Sequence, residues 1–298
     1  MTPTTRISGC GTALVTPFTR GGEVDEAALR ALVDWQIAEG VHFLVPCGST
    51  GEAATLSPAE HRRVVEIVVE QARGRVPIMA GAGSNDTKKA IALSREMRDA
   101  GATHLLHVSP MYNKPPQRGI IAHFRAIADA TALPVIIYNV PGRTASNIEA
   151  RTTLELATVP NIAGIKEASG NLGQIVDILR DRPPGFSVLS GDDALTLAVM
   201  SHGGDGVVSV VSNATPRHMA TLVNKALDAA DHPGARALHD RLAPWMHAAF
   251  VESNPIPVKA ALAMMGKIQD VLRLPLVPLR DELRSIVRES LVTAGALA

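Results

Sequence analysis

Runs of apolar and β-branched residues recur along the chain at intervals of roughly 20 to 35 residues, and segments with helical spacing of apolar positions follow them. Eight runs are legible: GTALV from residue 11, HFLVPC from 42, PIMAGAG from 77, HLLHVSP from 104, PVIIYN from 134, IAGIKE from 162, SVLSGDD from 187 and GVVSVV from 206. Strand and helix alternate, which predicts an α/β protein, and eight consecutive units predict a closed (β/α)8 TIM barrel. Local signals mark the helices between the strands. EAALRALVDWQIAEG ends at Gly40, a residue suited to a left-handed C-cap, and SPAEHRRVVEIVVEQARG opens with Ser57 as N-cap and Pro58 at the first helical position. From about residue 215 the pattern is helical only, punctuated by His232-Pro233-Gly234 and Asn254-Pro255. No Gly/Ser-rich or charged linker intervenes, so the expected organisation is a barrel over 1–214 and a C-terminal helical region over 215–298 packed upon it. An open doubly wound sheet would show the same alternation, but its nucleotide fingerprint is missing: GSTGE at 48 lacks the G-x-G-x-x-G spacing, and no G-x-x-x-x-G-K-[ST] occurs.

Composition narrows the function. The 298 residues, 46% apolar and 19% charged, suffice for one large core. Lys plus Arg and Asp plus Glu both number 29, so no net field draws the chain to nucleic acid or an anionic membrane, and a small molecule is the expected partner. Cys10 and Cys47 are the only cysteines and lack C-x-x-C spacing; they read as small buried residues of a protein in a reducing compartment. MTPTTRISGCG contains no signal-type apolar core, and no apolar run approaches the roughly 18 residues of a membrane helix. The expectation is a cytoplasmic protein.

In a barrel of this class the chemistry sits at the C-terminal ends of the strands. There the chain places Gly48-Ser49-Thr50-Gly51-Glu52, Met111-Tyr112-Asn113, Tyr138-Asn139 and Lys166-Glu167. Tyr112 and Tyr138 are the only tyrosines, and both fall where a barrel would display them into one pocket, although a rim tyrosine with its hydroxyl in water has the same placement. Lys166 ends the apolar run IAGIK. Desolvation there would lower its pKa and supply the neutral amine that attacks a carbonyl carbon; the alternative is a snorkelling lysine or one paired with Glu167. Tyr138, one strand earlier, is the proton donor and acceptor that imine formation needs. Gly48-Ser49-Thr50-Gly51 offers backbone N–H groups and two hydroxyls as a carboxylate cradle, or caps the next helix. Arg143, on the proline-stiffened loop after Tyr138, can hold a second carboxylate bidentately or lie in solvent. His104 and His107 share a strand but point to opposite faces, which disfavours a zinc-dependent aldolase.

GSTGE, MYNKP, YNVPGRT, GIKEASGN, LSGDDA and NPIPVK occur in this order, and the chain resembles the dihydrodipicolinate synthase family over essentially its whole length. That family belongs to the pyruvate-handling Schiff-base lyases, with N-acetylneuraminate lyase and the keto-deoxy-sugar aldolases. The resemblance implies that Lys166 forms an imine with pyruvate and Tyr138 shuttles protons, with Ser49 and Tyr112 completing a hydroxyl relay. It further implies that Thr50 holds the pyruvate carboxylate and Arg143 that of aspartate semialdehyde, that the Val208 carbonyl helps position the nucleophile, and that Gly191 lies near the substrate. The implied reaction is condensation of pyruvate with aspartate semialdehyde in lysine and diaminopimelate biosynthesis, by a homotetramer of two tight dimers, with no metal or organic cofactor.

Two departures qualify the resemblance. Ser49 stands where the synthases have threonine, and GSTGE is closer to the sugar-acid lyases, so a keto-deoxy-sugar-acid aldolase or N-acetylneuraminate-type lyase is the alternative. Arg143 argues for the synthase. A catalytically silent, ligand-sensing barrel is a third reading, which the set of Lys166, Tyr138 and Tyr112 weighs against. Lysine-inhibited relatives use a glutamate, a histidine and an aromatic residue where this chain has Lys89, Pro58 and Met111; although His61 and Asn85 remain, a cationic Lys89 would repel a lysine effector, and insensitivity to lysine is expected.

Overall fold

The computed structural model describes residues 6–228 and 231–298. Eight parallel strands carry the fold: β1 (Gly9–Ala13), β2 (Phe43–Val45), β3 (Met79–Gly81), β4 (His104–Val108), β5 (Val135–Asn139), β6 (Ile162–Glu167), β7 (Ser187–Ser190) and β8 (Gly206–Ser209). They pair in the order β2-β1-β8-β7-β6-β5-β4-β3. A parallel bridge between Leu44 and Ile78, with Leu44 N–H donating to the Pro77 carbonyl at 3.0 Å and Gly81 N–H to that of Pro46 at 3.0 Å, joins β2 to β3 and closes the barrel. The expected architecture is present, with shorter strands. β1 begins two residues before the apolar run at Gly11, and β2 stops at Val45 because Pro46 has no N–H to continue the ladder.

Alternation along each strand separates an inner from an outer core. On β5, Ile136 and Tyr138 face inward with Ala13, Phe43, Val45, Met79, Leu106, Leu189 and Val208, whereas Val135 and Ile137 pack outward against Ile120, Phe124 and Ile127 of the helix Gln117–Ala130. Tyr138 is in register with Lys166 of β6, so the lysine shares its inward face. The helix signals hold: Ser57 and Glu60 form a reciprocal capping box at the start of the helix Pro58–Ala72. Gly40 takes φ +91° just after the helix Glu26–Ala38, a conformation that a Cβ would strain.

After β8 the chain is mainly helical. The helix Pro216–Leu227 lies against β1 and β8, and three more follow at His232–Ala248, Ile256–Met264 and Asp281–Ala294. Trp245, fully buried, donates its indole N–H to the Val211 carbonyl at 3.2 Å within a core that also contains Cys10, Val15, Leu32 and Val207 of the barrel. A second connection is ionic. Lys259 Nζ, fully buried, lies 2.6 Å from Glu52 Oε1 and donates to the Thr16 carbonyl at 2.9 Å, while Arg273 gives its backbone N–H to Glu52 Oε2 at 3.1 Å and its guanidinium to Glu60. The Phe18 ring meets both cations, its centroid 4.2 Å from Lys259 Nζ and 4.4 Å from Arg273 Cζ.

This pairing sets an expectation for stability. Lys259→Met leaves the Glu52 carboxylate buried without its main counter-charge and costs roughly 3–5 kcal/mol in denaturant unfolding. The double variant Lys259→Met/Glu52→Gln, which removes both charges, loses less; a loss as large as the sum of the two single variants would contradict the pairing.

Candidate active site

The barrel mouth opens into a cavity of about 830 Å³ whose walls include Ser49, Thr50, Tyr138, Arg143, Lys166 and Gly191. Lys166 and Tyr138 project from adjacent strands, with Lys166 Nζ 4.1 Å from the centroid of the Tyr138 ring, and both are buried. Burial among apolar side chains disfavours the ammonium form and pushes the lysine pKa down to about 7; the Asp193 carboxylate opposes this and the Arg143 guanidinium adds to it. Desolvation pushes the Tyr138 phenol the other way, up to about 12, against a lowering influence from Arg143. The site therefore holds an amine whose neutral, nucleophilic form is well populated near neutrality, beside a phenol that keeps its proton.

The alternative of a Lys166–Glu167 pair is excluded by strand parity. Glu167 faces outward, where its carboxylate accepts from Asn139 Nδ2 at 3.0 Å and from the Ser169 N–H at 2.8 Å. No salt bridge among the described residues includes Lys166. Gly191, just after β7, gives the lysine its room: a Cβ there would lie 3.0 Å from Lys166 Cε, 3.1 Å from its Cγ and 2.8 Å from Ala168 Cβ.

The hydroxyl cradle divides into two parts. Thr50 is buried and its Oγ1 accepts from Asn254 Nδ2 at 2.9 Å, whereas Ser49 is exposed at the rim. Arg143 lies on the short helix Pro141–Thr144 at the mouth and donates from Nη2 to the Asn254 carbonyl at 3.2 Å. Val208 belongs to the inward core with Tyr138, but the cavity wall on that side is formed by Val210. Cys47 is buried on the wall and burial pushes its thiol pKa up, in keeping with an unreactive role.

Tyr112 departs from the expectation that both tyrosines enter one pocket. Its side chain is 89% exposed and not on the cavity wall, and its backbone takes φ +71°, a left-handed conformation that is strained for an aromatic residue. The loop is pinned in that shape by Asn85 Nδ2 donating to the Met111 carbonyl at 3.1 Å and Asn113 Nδ2 donating to the Asn85 carbonyl at 2.9 Å. Among the described residues, no hydrogen bond connects the hydroxyls of Ser49, Tyr138 and Tyr112, so a single chain does not assemble the relay. The geometric reason is that the loop after β4 turns its tyrosine away from the barrel axis. Of the residues considered for lysine binding, His61, Asn85 and Met111 line an arm of the same cavity, while Lys89 and Pro58 are exposed and outside its wall.

Two contributors escaped the reading of the sequence. Asp193, buried after β7, accepts from the N–H groups of Val210 at 2.9 Å and Val211 at 3.2 Å and supplies the negative charge that limits the fall in the Lys166 pKa. Asn254 connects Thr50 to Arg143. Both lie in recognisable motifs, LSGDDA and NPIPVK, but no periodicity signals that they approach the site.

The lysine also sets a pH dependence of stability. Its folded pKa of about 7 lies below the ordinary value of 10.5, so its destabilising effect is full below about pH 7 and fades as pH rises toward 10.5. Lys166→Met is therefore expected to be more stable than the parent at pH 6, with the gap closing toward pH 10. A gap independent of pH in denaturant titrations would show that the lysine is not desolvated as described.

Comparisons with known proteins place the chain in a family. The model of the dihydrodipicolinate synthetase family matches residues 6–294. The 4-hydroxy-tetrahydrodipicolinate synthase of Koribacter versatilis (strain Ellin345) is 52% identical over 293 residues, covering 98% of this chain and 97% of the relative. Among solved structures, the chloride-inhibited dihydrodipicolinate synthase of Acinetobacter baumannii complexed with pyruvate superposes with a TM-score of 0.96 at 42% identity, covering 98% of this chain and 100% of that one. A structure described as the first monomeric dihydrodipicolinate synthase variant matches with a TM-score of 0.96 at 40% identity, over 99% of each chain. With a family match spanning nearly the whole length and the buried lysine and tyrosine side by side at the barrel mouth, the chain belongs to the dihydrodipicolinate synthetase family.

Proposed function

We propose that the protein condenses pyruvate with L-aspartate 4-semialdehyde to give 4-hydroxy-tetrahydrodipicolinate, through an imine on Lys166. The observation that carries this reading is the buried Lys166 amine, its pKa lowered to about 7, against the face of Tyr138. Neutral Nζ adds to the ketone carbon of pyruvate, and the carbinolamine loses water to give the iminium, with Tyr138 moving the protons. Loss of a methyl proton gives the enamine, whose carbon attacks the aldehyde of the second substrate. The amine of that substrate then adds to the imine carbon, expelling Lys166 and closing the ring. Thr50 receives the pyruvate carboxylate and Arg143 that of the semialdehyde, with Gly191 and the Val208 carbonyl shaping the space around the nucleophile. Ser49 at the rim joins the proton relay.

Coupling turnover to a reductase that consumes the cyclic product tests the reaction. Activity with aspartate semialdehyde, and none in Lys166→Ala, is expected; Tyr138→Phe should lower kcat by about 10²-fold. Pyruvate release from keto-deoxy-sugar acids, with no coupled product, would move the protein to the aldolase branch that Ser49 resembles while keeping Lys166 as nucleophile.

The same reading assigns a homotetramer of two tight dimers in which Tyr112, exposed and held in a left-handed conformation in one chain, enters the partner's site. Sedimentation should show the tetramer, and Tyr112→Phe should lower kcat without dissociating it. A fully active monomer would overturn this assignment, and the monomeric variant among the similar structures makes the measurement informative.

A further inference from the structure

Asn254 stands between the two side chains assigned to the two substrate carboxylates. Its Nδ2 donates to Thr50 Oγ1 at 2.9 Å, its main-chain carbonyl accepts from Arg143 Nη2 at 3.2 Å, and it lies buried in the cavity wall. The segment that carries it is anchored five residues later by Lys259, whose partner Glu52 follows Thr50 by two residues, so strap and cradle are tied at two points. A threonine hydroxyl has one hydrogen to donate and two lone pairs to accept with. With the Asn254 amide occupying a lone pair, the Thr50 hydrogen is left to point into the cavity.

We propose that Asn254 is a positioning residue that keeps Thr50 a hydrogen-bond donor to the carboxylate of the first substrate and, through its carbonyl, holds Arg143 in place for the second. The proposal rests on the reading that Thr50 receives pyruvate. Its two connections differ chemically: substitution of the side chain removes the one to Thr50, whereas the carbonyl that holds Arg143 is present in any residue. Loss should therefore fall on pyruvate. An Asn254→Asp side chain has nearly the same shape but only acceptors, so its carboxylate takes the Thr50 hydrogen for itself and sets a negative charge near that of pyruvate.

The experiment is borohydride trapping of the Lys166 adduct as a function of pyruvate concentration, read by intact mass. Asn254→Ala should raise the half-saturating pyruvate concentration about tenfold, with the KM for aspartate semialdehyde changed by no more than about twofold. Asn254→Asp should raise it further than Ala does, and Thr50→Ala/Asn254→Ala should behave like Thr50→Ala alone, because two residues acting through one contact are not additive. Additive losses, or an Asp variant that binds pyruvate as well as the parent, would overturn the proposal even with the parent trapped normally. Absence of trapping in the parent would instead overturn the functional reading, and the inference with it.

Discussion

The site is organised by the burial of one amine. Lys166, one residue before the end of β6, sits on the inward face of a closed barrel, where Tyr138, Ala168 and Val210 help exclude the water that would stabilise its ammonium form. An exposed lysine near neutrality is almost wholly protonated and cannot attack a carbonyl carbon; this one is poised close to half-neutral. Three neighbours bear on that amine. Gly191 leaves the space through which the side chain passes, Asp193 prevents the pKa from falling further, and Arg143 brings a positive charge that pushes the same way as desolvation. The cost of keeping such a group inside is borne by the surrounding core.

Closure of the barrel and the C-terminal strap act together on that amine. The segment after β8 reaches back to the mouth, where Asn254 contacts both Thr50 and Arg143. The strap is held by alternating charges, Lys259, Glu52, Arg273 and Glu60, with the Phe18 ring against both cations. The fully buried Lys259–Glu52 pair is costly to break by removing one partner, because the other charge is then left inside without its counter-charge.

Much of this was legible in the sequence, for identifiable reasons. Repetition of apolar runs and helical segments determined the barrel, because strands buried on both faces and amphipathic helices leave different periodic traces. The capping box at Ser57 and the glycine at 40 are local effects and appeared where local signals placed them. The apolar run ending in a lysine pointed to a desolvated Lys166, and the tyrosine closing the preceding strand to a phenol beside it, with a snorkelling or ion-paired lysine as the alternative.

Only the tertiary structure decided the rest. Whether Lys166 pairs with Glu167 turns on which face of the strand each occupies, and the register with Tyr138 settles that they diverge. The direction of Tyr112 depends on a loop whose left-handed turn is held by Asn85, 27 positions earlier in the chain, a contact that no window of sequence contains. Asn254 meets Thr50 across 204 residues, and Lys259 meets Glu52 across 207. Sequence determines what a segment can bury and where it must turn; which distant side chains become neighbours follows only when the closed barrel brings its loops to one end.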